Sequence, residues 1–329
     1  MHRYGMERLQ LMKLHLQHEK NCGRCSMAAN QTRNVFFQKI DELMGKDNSI
    51  IIVSVDLAGP PFDKIRKNHP DRYISVGIAE QNSVAIACGL AAAGKKVIVY
   101  AANPFPFLRA FDQIRNCACT MKLPIVIAGL GTGFSVAECG ATHLTIEDIA
   151  LASLCAGLDI YSISDDPMAE FMADQITSFT RPAYLRFGKW SGVPVGIFNH
   201  EIYRAGYRIV KKGKRIAVVG TGCTTQLLLN MELPDDYTIY DWFKLSDSKL
   251  LSESLCRYNE IITVEEQQRR GGMGSMLLEA FNDCGYQSRI YRIGIDLNCC
   301  YPQEYGDRGY WLKKFDITKE HILAVCERK

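Results

Sequence analysis

The sequence predicts an α/β protein made of two doubly wound units in tandem. Three observations carry this reading. From residue 34 to residue 187, apolar runs of strand length alternate with segments of helical period, the pattern of a parallel sheet covered by helices. A stretch marked by glycine and proline, residues 188–199, interrupts the alternation, which then resumes. The 329 residues also exceed the size at which a single core usually stops growing. The expected division is a disordered N-terminal extension over 1–27, a first domain over 28–190 and a second over 200–329.

The elements follow in order. Residues 34–44 (NVFFQKIDELM) carry apolar side chains at helical spacing. Residues 49–55 (SIIIVSV) form a continuous β-branched run, hence a strand buried on both faces, which ends in a loop over 56–61. A short strand over 73–76 leads through Gly77 into a helix rich in small residues, with Glu80 where the turn becomes the helix. Because Val84, Ala85, Ile86, Ala87, Gly89 and Leu90 are apolar or small all round, this helix is expected to be buried on nearly every side. Strands at 95–100, 123–128, 159–162 and 183–187 alternate with helices at 108–118, 145–155 and 167–179. The second unit repeats the scheme, with strands at 215–220, 237–240, 260–264 and 288–293. Ligands of such sheets bind outside the carboxyl ends of the strands, so the loops there are the candidate site walls.

Composition narrows the function classes. Apolar content of 47% and charged content of 23% are ordinary for a globular chain, and a net charge of +3 gives no argument for a nucleic-acid partner or a membrane surface. No apolar run approaches the roughly 18 residues of a spanning helix, and the first residues lack a signal core, so a cytoplasmic location is expected. Thirteen cysteines are scattered along the chain, and Cys88, Cys117, Cys119 and Cys155 fall in elements where they act as small hydrophobes. Cys22 and Cys25 form a CxxC without a second ligand pair nearby, which argues against zinc, and no metal site is expected in this chain.

Other motifs weigh against their bland readings. Gly220-Thr221-Gly222 follows a strand and Asp241 lies downstream, but Thr225 stands where a dinucleotide fingerprint needs its third glycine, so a tight turn is favoured. Gly129, Gly131 and Gly133 have the wrong spacing for a phosphate loop; they let a ligand approach the backbone or merely turn the chain. His143 precedes a helix in a strand-end loop. Glu265 and Glu266 read as a solvated or capping pair sooner than an acid–base pair.

Taken together, GIAEQN (77–82), GLAAAG (89–94), RAFDQIRN (109–116) and GATHLTIEDIAL (140–151) resemble the transketolase family, and VDLAG (55–59) and TVEEQ…GGMGS (263–275) fit in order. The resemblance covers roughly residues 28–329 and corresponds to the family's carboxyl-terminal half, a pyrimidine-binding domain plus a C-terminal domain. It implies a thiamine-diphosphate-dependent transferase moving a two-carbon ketol unit between sugar or sugar-phosphate substrates. Glu80 matches the glutamate that bonds a ring nitrogen of the aminopyrimidine and favours its imino tautomer; a carboxyl shielded from water suits such a shared proton. Phe105 matches the aromatic stacked on that ring, with Ile78 and Arg109 beside the cofactor. His143 matches the histidine facing substrate oxygens, and Arg186 and Arg33 match arginines at the phosphate end of the channel.

Departures from the family pattern alter the expectation. Cys139 stands where an acidic residue is common, Gly131 where sugar transketolases carry a histidine, and Pro60 where they carry a phosphate-binding serine. Each removes a hydrogen-bonding group, so an acceptor other than the pentose phosphates is expected. The Gly-Asp-Gly motif that binds the diphosphate through Mg²⁺ is also missing. The resemblance therefore implies a β-type subunit, completed by a separate α-type chain in an α₂β₂ heterotetramer. The alternatives are the β subunit of a 2-oxo acid dehydrogenase, disfavoured by THLTIED, and a non-catalytic subunit, against which an intact Glu80 argues. A 1-deoxyxylulose-5-phosphate synthase-like activity is disfavoured by the short chain.

Overall fold

The computed structural model describes residues 31–56, 59–189, 192–297, 301 and 304–327. The expected extension over 1–27, with its Cys22–Cys25 pair, lies outside the described residues.

Strands β1 (Ile50–Ser54), β2 (Tyr73–Ser75), β3 (Lys96–Ala102), β4 (Ile125–Leu130), β5 (Asp159–Ser162) and β6 (Ala183–Phe187) form one parallel sheet in the order β2-β1-β3-β4-β6-β5. Every residue of β1 is buried, as its unbroken β-branched run requires. Alternate side chains feed opposite layers. Ile50 and Ile52 join Phe36, Phe37 and Ile40 of the helix Thr32–Met44, and Val53 joins Val84 and Ala87 of the helix Glu80–Ala92. The strand order reverses between β1 and β3, so a crevice opens at their carboxyl ends.

Strands β7 (Tyr207–Lys211), β8 (Ile216–Gly220), β9 (Tyr237–Trp242), β10 (Glu260–Gln268) and β11 (Arg289–Ile295) form a second sheet in the order β11-β10-β8-β9-β7, with β7 antiparallel to β9. The edge strand β7 escapes a reading by apolar runs because most of its residues are only half-buried. The two sheets share hydrophobic layers. Ala217, Val219, Tyr240 and Trp242 pack in one cluster with Val97, Val99 and Ile127, and Phe134 and Leu144 join Val218, Ile262 and Trp311 in another.

Three local expectations are corrected. The helix Glu80–Ala92 buries Ser83, Val84, Ala87, Cys88 and Ala91, but Ala85, Gly89 and Ala92 are exposed, so it is covered on one face only. The expected helix at 108–118 begins earlier, at Phe105–Leu108, because Pro106 is tolerated in a first turn, and then breaks into the short turns Phe111–Gln113 and Ile114–Cys119. The expected loop over 56–61 runs into a helix, Pro60–Asn68, with proline again in the first turn. The described cysteines are unbridged, and Cys88, Cys119 and Cys155 are buried as expected. No described helix is long and apolar enough to cross a membrane.

Candidate active site

The carboxyl ends of β2 and β3 bring two distant segments together. After β2 the chain turns through residues 76–79, and Glu80 opens the following helix with its side chain buried. After β3, Phe105 and Arg109 project from the first helical turns. Arg109 donates from Nη1 to Glu80 Oε1 at 2.8 Å, and its guanidinium lies over the Phe105 ring, 4.1 Å from the centroid. Ile78, 75% exposed, and residues 79–82 line an open cavity of about 310 Å³ with Glu80 and Arg109. Phe105, Leu108 and Arg109 also line a neighbouring cavity of about 610 Å³. A buried carboxylate beside a flat aromatic face fits a planar heterocycle that carries N–H donors, and the guanidinium held there has those properties.

His143 completes this wall from the loop after β4. Its ring stands edge-on to Phe105 with centroids 5.1 Å apart, and Nδ1 lies 2.9 Å from Thr142 Oγ1. Burial, with the Arg109 charge, lowers the His143 pKa below its ordinary value, which favours the neutral ring near pH 7. Cys139 ends the short turn Ala137–Cys139 on the same loop and is half-buried. Across the loop lies the second unit. Gln268 donates to Glu147 at 3.1 Å, Tyr301 also hydrogen-bonds Glu147, and the Tyr305 ring packs against Gly140.

Arg186 and Arg33 are buried and engaged within the protein. Arg186 donates to Asp148 at 2.7 and 3.2 Å and to Ser162 at 2.8 Å. Arg33 donates to Asn34 at 2.8 and 3.0 Å and to Tyr100 at 2.8 Å. Either would have to exchange these bonds to meet a phosphate. The residue departures have structural reasons. Gly131 has φ of 105°, and a Cβ there would lie 2.7 Å from Val136 Cγ2, so this backbone excludes a histidine. Pro60 has become the first residue of a helix.

The remaining motifs are interior struts. Asp241 is buried and accepts from Arg208 at 3.0 Å, Ser164 at 2.6 Å and Thr225 at 2.8 Å, which agrees with the turn reading of Gly220–Gly222. Glu265 caps the helix Met273–Asp283, accepting from Met273 N at 2.6 Å and Gly274 N at 3.0 Å. Glu266 is not solvated: it accepts from Phe134 N at 3.0 Å in the glycine loop and from Arg308 at 2.9 Å. The close neighbour of that loop is this side chain, since a Cβ on Gly133 would lie 2.7 Å from it. Sequence reasoning passed over Asp148, which orients Arg186 from the start of the helix Asp148–Ser153. Among the described residues no cluster of three or more His, Cys, Asp or Glu side chains is placed to hold a metal ion.

A doubly wound parallel sheet followed by a smaller one, with a carboxylate, an aromatic face and a histidine at its carboxyl edge, defines a class of two-part α/β proteins. The chain belongs to the transketolase family, and residues 28–192 match its description "Transketolase, pyrimidine binding domain". It corresponds to the family's carboxyl-terminal half. Among curated proteins it is similar to 1-deoxy-D-xylulose-5-phosphate synthase of Symbiobacterium thermophilum, 26% identical across 93% of this chain and 48% of that protein. The same-named protein of Gloeobacter violaceus is 31% identical across 80% of this chain and 43% of its own. The chain thus spans about half the length of the curated relatives it matches. Among solved structures it is similar to a split-gene transketolase described as an inactive β4 tetramer, with a TM-score of 0.75, 26% identity, and coverage of 91% of this chain and 97% of that one. A transketolase mutant from Pichia stipitis shares the fold, with a TM-score of 0.73 at 18% identity over 92% of this chain and 46% of that one.

Proposed function

We propose that this chain is the pyrimidine-binding half of a thiamine-diphosphate-dependent transketolase, active with a separate chain that binds the diphosphate and Mg²⁺. The observation that carries this reading is the buried Glu80 carboxylate at a helix start beside the flat face of Phe105. When bound, the cofactor supplies a stabilised carbanion, the chemistry that protein side chains lack. With the cofactor bound, Glu80 would hold the aminopyrimidine by a hydrogen bond, Phe105 would offer its flat face to the ring, and Ile78 would lie beside it. Arg109 lines the seat. His143, neutral near pH 7, exchanges a proton or hydrogen bond with substrate oxygens, with Cys139 on the same loop. Arg33 and Arg186 are secondary candidates for the phosphate end of a substrate.

The split-gene neighbour, covered over nearly its whole length, supports a two-chain enzyme. The exposed small-residue face formed by Ala85, Gly89 and Ala92, on the helix that Glu80 opens, supports a partner on that side of the chain, in an α₂β₂ assembly. The names of the curated relatives favour a second reading, decarboxylating condensation of the 1-deoxyxylulose-5-phosphate synthase type. Donor cleavage separates the two. This chain with its partner, thiamine diphosphate and Mg²⁺ is expected to cleave a ketose phosphate without releasing CO₂. Release of CO₂ from pyruvate, with the ketose left intact, overturns the first reading, and only joining of the remaining two carbons to an added aldose phosphate selects the second.

A further inference from the structure

We infer that Arg109 is a built-in occupant of the cofactor's ring seat, which must swing out before the aminopyrimidine enters. This rests on the reading of Glu80 and Phe105 as that seat. The geometry is two-sided. Arg109 Nη1 donates to Glu80 Oε1 at 2.8 Å, and the guanidinium carbon lies 4.1 Å from the Phe105 ring centroid. A guanidinium is planar, delocalised and edged with N–H donors, so one group satisfies both the carboxylate and the aromatic face. An aminopyrimidine bonded to Glu80 and stacked on Phe105 uses the same acceptor and the same flat surface. The face of Phe105 that carries the guanidinium cannot carry the ring at the same time.

The surroundings permit exchange. The Arg109 side chain is 50% exposed whereas that of Glu80 is 7% exposed, so the arginine can withdraw into solvent while the carboxylate stays. Arg109 lines both the cavity of about 310 Å³ beside residues 78–82 and the cavity of about 610 Å³ beside Phe105. It therefore borders both spaces. The occupant also has a use. Without it, Glu80 would be left as a buried carboxylate with no side-chain donor among the described residues, which is costly before a ligand arrives. Held there, the pair keeps the seat shaped and lowers the apparent affinity for any ring by the fraction of chains that are closed.

The test uses this chain alone and 4-amino-2-methylpyrimidine, a ring without a diphosphate, followed by saturation-transfer NMR and calorimetry. Arg109→Ala is expected to bind the ring at least tenfold more tightly than the unaltered chain. Added guanidinium chloride should compete with the ring in Arg109→Ala, because it refills the vacated place; a merely structural arginine gives no such competition. Arg109→Leu, which keeps side-chain bulk, serves as a second variant should the alanine form fold poorly, and the same gain is expected. Equal binding by the unaltered chain and both variants overturns the occupant while leaving the seat intact. Binding by none of them overturns the seat as well.

Discussion

Glu265 shows how burial sets the behaviour of a single residue. Its carboxyl is enclosed, and desolvation raises its pKa from 4.5 to about 7 against the pull of the Gly274 and Met273 amides. A pKa raised on folding contributes stability that is full below about 4.5 and lost as pH rises through about 7. Glu265→Gln removes the titration. The melting temperature of the variant relative to the unaltered protein should therefore climb between these pH values and level off above them. A difference independent of pH, measured by scanning calorimetry, would contradict this environment. At this scale the sequence revealed which residue types sit at strand ends, and little about their partners. Glu80 was legible because it follows a short strand and a glycine turn. Its bond to Arg109 spans 29 positions and that of Arg186 to Asp148 spans 38, separations that no local pattern encodes.

Elements were legible wherever apolar runs were long. The runs that became β1, β4 and β8 are buried throughout, and a strand covered on both faces has few other ways to be written. The helix Glu80–Ala92 failed the same logic. Alanine and glycine have little polarity to distinguish an inner face from an outer one, so an exposed stripe of Ala85, Gly89 and Ala92 reads like a buried one. That correction has a measurable consequence. A Cβ placed on Gly89 meets nothing within 4 Å. Gly89→Ala should stabilise the free chain by about 1 kcal/mol through helix propensity alone, as read from urea unfolding. A loss of stability would mean that the face is covered.

At the scale of the whole molecule, two sheets are locked by charged groups that cross between them. Arg208 of β7 reaches Asp165 at 3.0 Å, ahead of the helix Asp166–Asp174 of the first unit, and Glu266 of β10 reaches the backbone of Phe134. Buried pairs of this kind cost about 3–5 kcal/mol to break by removing one partner, so they fix how the units face each other. The sequence announced two units but not this stitching, because its polar residues lie far apart along the chain and look like ordinary surface positions. The outcome is a molecule with the Glu80–Arg109 edge on one unit, His143 beside it, and the Tyr301 and Tyr305 segment of the other unit laid against the His143 loop.

This chain is proposed to own the ring end of a thiamine diphosphate site and to need another chain for the rest. Calorimetric titration of thiamine diphosphate with Mg²⁺ tests it most directly, on this chain, on the partner, and on their mixture with and without Glu80→Ala. Tight binding is expected only in the mixture, with affinity and turnover both lost in the Glu80→Ala mixture. Tight binding of the complete cofactor by this chain alone, or full turnover without the Glu80 carboxylate, would contradict it.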